Sequence, residues 1–86
     1  MKFLYTKKFK DLFRKLPASV CKKFAKQIEL LSQNTHHPSL HLKKVRGHQN
    51  IWEARIDYQY RFTFTWENDS IILRVIGSHD DVLNNP

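Results

Sequence analysis

Around Pro38 the hydrophobic period of the sequence changes from 3.6 to 2, which excludes both an all-helical bundle and an all-β sandwich. Before the change, Phe9, Leu12, Phe13 and Leu16 form the i, i+3, i+4, i+7 stripe of an amphipathic helix. Lys7, Lys8, Lys10, Arg14 and Lys15 surround the stripe, and Thr6 precedes it as a suitable N-cap. Pro17 ends this helix and opens a second, because a fixed φ suits a first helical turn. The second apolar face runs through Val20, Cys21, Phe24, Ile28 and Leu31 and gives out near Gln33 and Asn34. Two helices joined at a proline read as a helical hairpin, and Lys2–Tyr5 reads as a short strand ahead of it.

After Pro38 three segments alternate. Trp52, Ala54 and Ile56 oppose Glu53, Arg55 and Asp57; Tyr60, Phe62, Phe64 and Trp66 oppose Arg61, Thr63 and Thr65; Ile71, Leu73 and Val75 oppose Ile72, Arg74 and Ile76. Each strand has one apolar face, so the helices pack there. The expected fold is α+β in the order β-α-α-β-β-β, a small antiparallel sheet with a two-helix hairpin on one face, in a single domain over residues 1–86. Turns at Asp57–Gln59 and Glu67–Ser70 pair Ile56 with Tyr60, Arg55 with Arg61, Trp66 with Ile71 and Arg74 with Thr63. Arg55, Arg61 and Arg74 then share the face away from the helices, with Glu53 and Asp57 among them. Like charges directly opposite destabilise a sheet. Either an anion such as a phosphate completes the cluster, or the two acids neutralise it as a surface lattice.

The last strand runs into Ile76-Gly77-Ser78-His79-Asp80-Asp81. Gly77 is expected to bend the chain and bring His79 beside the first hairpin turn, near Arg55 and Arg61. A histidine exchanges protons near neutral pH, and flanking guanidiniums stabilise a pentavalent phosphorane. RNA cleavage by a 2′-hydroxyl needs such a set and no metal. The plainer reading is that Ser78 and Asp80 cap a C-terminal turn and His79 is solvated. The charge balance fits nucleic acid, an acidic protein partner or a membrane surface, or else a plain solvated basic face: fifteen Lys and Arg stand against eight Asp and Glu, a net charge of +7. Cys21 is alone, and no signal-peptide h-region or membrane-spanning run is present, so a cytoplasmic setting and no membrane partner are expected.

The run from Leu42 to Leu83, with its "LKKVRG", "WEARI", "YRFTF" and "IGSHDDV" segments, resembles the C-terminal half of the RelE/ParE superfamily of bacterial type II toxins. The helical hairpin fits the same order, so the resemblance covers nearly the whole chain. It implies a ribosome-dependent, metal-independent endoribonuclease that cuts mRNA and inhibits translation, without a cofactor and silenced by a cognate antitoxin. The Gly77-Ser78-His79 segment resembles the YafQ-like branch and points to His79 as a catalytic group. Arg61 matches a phosphate-contacting arginine of the RelE branch, and Arg55 falls near a basic or histidine position of both branches. Glu53 is placed as a base by loose similarity to YoeB-like members. Lys43 and Lys44 lie at the rim segment, with Arg74 and Tyr58 as further RNA contacts, Tyr58 by stacking on a base. The tyrosine near the end of the RelE branch is missing, and the second-strand histidine and following aspartate of the YafQ-like branch appear as Arg55 and Gln59.

Two other functions share this fold: a ParE-like inhibitor of DNA gyrase without nuclease activity, and an inactive homologue that only binds an antitoxin. The remaining candidates carry plainer readings. His36, His37, His41 and His48 lack a cysteine or carboxylate at ligand spacing and are read as RNA-facing or solvated. Cys21 lies on the apolar stripe as a core thiol, and Trp52 and Trp66 pack the core face of the sheet.

Overall fold

A computed structural model describes all residues, Met1–Pro86. The elements are β1 (Lys2–Tyr5), α1 (Lys7–Arg14), α2 (Ala18–Gln33), a 3-10 turn at Pro38–Leu40, β2 (Lys43–Lys44), β3 (Ile51–Arg55), β4 (Tyr60–Glu67), β5 (Ser70–Ser78) and α3 (His79–Asn84). They form a five-stranded sheet in the order β1-β5-β4-β3-β2. β1 runs parallel to β5 and every other pair is antiparallel.

The helical hairpin forms as its sequence dictates. Thr6 caps α1, its hydroxyl accepting from the Phe9 N–H. That hydroxyl also donates to the Arg74 carbonyl, which ties the start of α1 to β5. The hairpin buries Phe9, Val20, Phe24 and Leu31 against Ala54, Ile56, Phe62, Phe64, Ile71, Leu73 and Ile76. Phe24 meets Phe62 edge-on at 5.2 Å between centroids, a favourable arrangement of ring quadrupoles. Trp52 and Trp66 pack on the edge of this core, as expected.

The β3–β4 register is the expected one, with Arg55 opposite Arg61. Between β4 and β5 the expectation holds near the turn, where Trp66 pairs with Ile71, and then fails. Phe64 pairs with Leu73 but Thr63 pairs with Val75, leaving Arg74 as the extra residue of a bulge. The bulge shifts the alternation, so Ile76 joins the core under the helices and Val75 turns to the other face. The connecting turn is also tighter than expected. Glu67 pairs with Ser70, and Asn68 takes a positive φ of 52°, a region asparagine tolerates.

Three local expectations are corrected. The "LKKVRG" strand is only Lys43–Lys44, because the chain turns at once through Arg46 and Gly47, the latter at φ 83°. Gly77 does not bend the chain; it lies within β5 opposite Arg61. Beyond it the chain continues as a third helix, capped by the Ser78 hydroxyl accepting from the Asp81 N–H. α3 lies across the sheet face away from the hairpin and buries Val82 there. No helix is long and apolar enough to cross a membrane.

Candidate active site

Strand alternation places Glu53, Arg55, Arg61 and Thr63 on the face away from the hairpin. The opposed arginines are accommodated by turning one of them inward. The Arg61 guanidinium folds into the β3–β4 turn, where its Nη1 donates to the carbonyls of Asp57 (2.6 Å), Tyr58 (3.0 Å) and Tyr60 (3.0 Å). Its Nε lies 3.9 Å from Glu53 Oε1, and Lys43 Nζ approaches the same oxygen to 3.8 Å. Burial, and then the charge of Arg55, push the Arg61 guanidinium below its ordinary pKa, while Glu53, Asp57 and Tyr58 partly offset them. It is a fixed buried cation behind the sheet surface, only 7% exposed.

His79 begins α3 beside this turn. Its backbone N–H donates to the Gln59 carbonyl at 2.8 Å, and its half-exposed ring places Nδ1 3.4 Å from Asp80 Oδ1. On one side of Arg61 and His79 a recess of about 350 Å³ is lined by these two with His41, Lys43, Glu53 and Arg55. On the other side Arg61 and His79 border an open depression of about 590 Å³ with Tyr58, Gln59 and Tyr60. Two buried polar atoms at the first recess have no partner: an acceptor, Glu53 Oε2, and a donor, Arg55 Nε. Buried polar groups are satisfied almost everywhere in folded proteins. Both atoms are closed to solvent, so they mark an unsatisfied charge pair in the wall of the recess.

The sequence-predicted residues therefore separate. His79, Arg61, Arg55, Glu53 and Lys43 come together, and Tyr58 stands 87% exposed at the edge of the neighbouring depression. Lys44 does not join them; it pairs with Trp52, so alternation sends its ammonium over the Trp52 ring on the helix side, 5.3 Å from the centroid. Arg74 is displaced by the bulge, and its Nε donates to the Pro86 carbonyl. The direct ion pair of Asp57 is not with an arginine, although its charge is felt by Arg61. Its carboxylate pairs with Lys23 of α2 at 3.1 Å and accepts from the N–H groups of Gln59 and Tyr60. Burial raises the Asp57 pKa, but these three donors outweigh it and hold the carboxyl below its ordinary value.

Sequence reasoning missed Gln27 and did not single out His41 from the histidines it read as RNA-facing or solvated. His41 enters the recess from the end of the 3-10 turn, in a left-handed conformation of φ 46°. Nothing in the sequence distinguishes it from the nearby histidines. Gln27 is buried in the helical hairpin, and its Nε2 donates to the carbonyls of Ser39 (3.2 Å) and Arg55 (2.8 Å). It thereby fixes the turn that carries His41 to the strand that carries Arg55. A signal existed here, because Gln27 occupies the i+3 position between Phe24 and Leu31 on an otherwise apolar stripe.

A helical hairpin on one face of a small sheet is a fold shared with solved protein toxins. The YoeB/ParE toxin of Agrobacterium tumefaciens superimposes with a TM-score of 0.78 at 16% identity, over 92% of this chain and 99% of that one. RelE in the RelB–RelE antitoxin–toxin complex of Methanococcus jannaschii gives 0.73 at 22% identity, over 96% and 98%. YafQ of Escherichia coli BL21(DE3) gives 0.79 at 10% identity, over 94% and 96%. At these identities the likeness is one of fold. No curated protein matches in sequence. The family model of the ParE-like toxin domain matches residues 18–82, and the chain belongs to that family, within the RelE/ParE toxin superfamily.

Proposed function

We propose that this toxin is a metal-independent, ribosome-dependent endoribonuclease that cleaves mRNA. The observation that carries the reading is the recess where His79 stands with His41, Glu53, Arg55 and Lys43 over the buried charge of Arg61. In the proposed reaction a base takes the proton of a ribose 2′-hydroxyl, and that oxygen attacks the adjacent phosphorus. The bond from phosphorus to the 5′-oxygen breaks, and an acid protonates the leaving oxygen, giving a 2′,3′-cyclic phosphate and a 5′-hydroxyl. His79 is assigned a proton transfer, and Glu53, which lines the same recess, is the second candidate base. Arg55 lines the recess and supplies a guanidinium for a phosphate oxygen, while Arg61 adds positive potential from behind. Tyr58 offers an exposed ring for base stacking.

Control by a cognate antitoxin is part of the same reading, supported by similar toxins captured with RelB and with DinJ. A second reading, inhibition of DNA gyrase by binding alone, is favoured by the match to the ParE-like family model. Primer extension on mRNA from cells expressing the toxin separates the two. New 5′ ends at codon boundaries are expected. Intact mRNA together with trapped gyrase–DNA complexes would transfer the assignment to the gyrase reading.

A further inference from the structure

The β5 bulge that removes Arg74 from the first recess places it in another. A depression of about 470 Å³ is lined by Lys8 of α1, His48 of the β2–β3 loop, Arg74, and Asn84, Asn85 and Pro86 at the end of α3. Three nitrogen bases thus arrive from three separate elements; no Asp or Glu lines the depression, and its one anionic group is the main-chain carboxylate that Pro86 carries as the last residue of the sequence, one charge against those of Lys8 and Arg74. Arg74 spends only its Nε, on a main-chain oxygen of that Pro86 carboxylate, so both terminal nitrogens of its fork are unbonded. Lys8 makes no ion pair, unlike Lys7 beside it, which pairs with Asp11. A planar fork with free nitrogens beside an ammonium is suited to the oxygens of a phosphate group.

We infer that this depression is a second phosphate-binding site, which holds the RNA backbone away from the cleaved bond. The inference rests on the nuclease reading and deepens it. α3 begins at His79 of the first recess and ends at Asn84 of the second. Its six residues span about 8 Å at the usual helical rise, so a short run of nucleotides bridges the two sites. An acidic peptide fits the depression less well. Val75 is its one hydrophobic lining residue, which leaves no apolar pocket to anchor a peptide side chain.

The test is fluorescence anisotropy with single-stranded 2′-O-methyl oligonucleotides, which lack the attacking hydroxyl, at several lengths and salt concentrations. Wild-type affinity should rise once an oligonucleotide is long enough to reach both sites. Arg74→Ala and Lys8→Ala should each lose that gain, and each should reduce the slope of log affinity against log salt by about 0.7, the value for one phosphate on a single strand. Arg74→Lys should keep most of the slope, since it keeps the charge. If Arg74→Ala and Lys8→Ala bind as wild type while Arg55→Ala binds weakly, the second site is refuted and the nuclease reading survives. If the wild type binds no oligonucleotide and its expression leaves mRNA intact in cells, both fall. Loss of affinity for poly-glutamate in Arg74→Ala, with RNA binding intact, would assign the depression to an acidic protein and overturn the inference.

Discussion

Arg61 and His79 border the same recess but are held in different ways, and their substitution should therefore fail differently. Arg61 is buried and its Nη1 serves three carbonyls of the β3–β4 turn. Arg61→Ala removes the charged donor that the Asp57 and Tyr58 carbonyls share, a loss of about 1.5–3 kcal/mol for a hydrogen bond from a charged group. It should lower the thermal midpoint as well as cleavage. His79 is half exposed, and its backbone rather than its ring seats α3 on the turn. His79→Ala should leave the thermal midpoint and ribosome association near wild type, while single-turnover cleavage falls by about 10²–10⁴-fold, the usual worth of general acid–base help. Cleavage by His79→Ala at the wild-type rate would return the residue to the role of a helix-starting position. Arg61 shows what a sequence pattern conveys and what it leaves out. Alternation placed it opposite Arg55 on the correct face, but only the turn carbonyls explain why two like charges tolerate that pairing.

At the scale of elements, the legible parts were those governed by a local period. The two helical stripes, the turn that sets Arg55 against Arg61 and the pairing of Trp66 with Ile71 all follow from side-chain alternation over a few residues. The parts that were not legible depend on contacts between distant segments. The bulge at Arg74 forms where β5 also carries the α1 cap, since Thr6 donates to the Arg74 carbonyl and its N–H to that of Leu73. The approach of His41 depends on Gln27, fourteen positions earlier, bonding the chain around it. The β3–β4 turn supplies a pH test. Asp57 accepts from two backbone N–H groups and pairs with Lys23, and its pKa is lower in the folded state than in an unfolded chain. A depressed carboxyl contributes stability that is fully present above the unfolded value, about 3.9, and is lost as pH falls through the folded value. Denaturant midpoints measured between neutrality and pH 3 should therefore fall more steeply for wild type than for Asp57→Asn. Parallel curves would mean that the turn is held by its backbone alone.

Across the whole molecule the excess of seven positive charges is unevenly distributed. Several acids are committed: Asp11 to Lys7 and Arg14, Asp57 to Lys23, Asp69 to the N-terminal ammonium, and Glu53 to the neighbourhood of Arg61 and Lys43. Lys10, Lys22 and Lys26 are exposed on the helical hairpin without an ion pair, on the side of the sheet opposite the recess. The molecule is therefore basic on both faces. A single RNA strand lying in the recess cannot neutralise the helix side, whereas a ribosomal site that encloses a small protein presents phosphates from several directions. Changing Lys10, Lys22 and Lys26 together to alanine should then weaken ribosome association and flatten its salt dependence, since each lost lysine–phosphate contact removes about 0.7–0.9 from the slope. The thermal midpoint should stay within experimental error, because exposed, unpaired lysines contribute little to stability. Cleavage within the bound complex should also proceed at the wild-type rate, because no lysine of the three lines the recess. Sedimentation with ribosomes across a salt series, followed by single-turnover cleavage at saturation, measures both quantities. An unchanged salt slope would mean that the helix face points away from RNA, leaving its charge to attract an acidic protein partner instead.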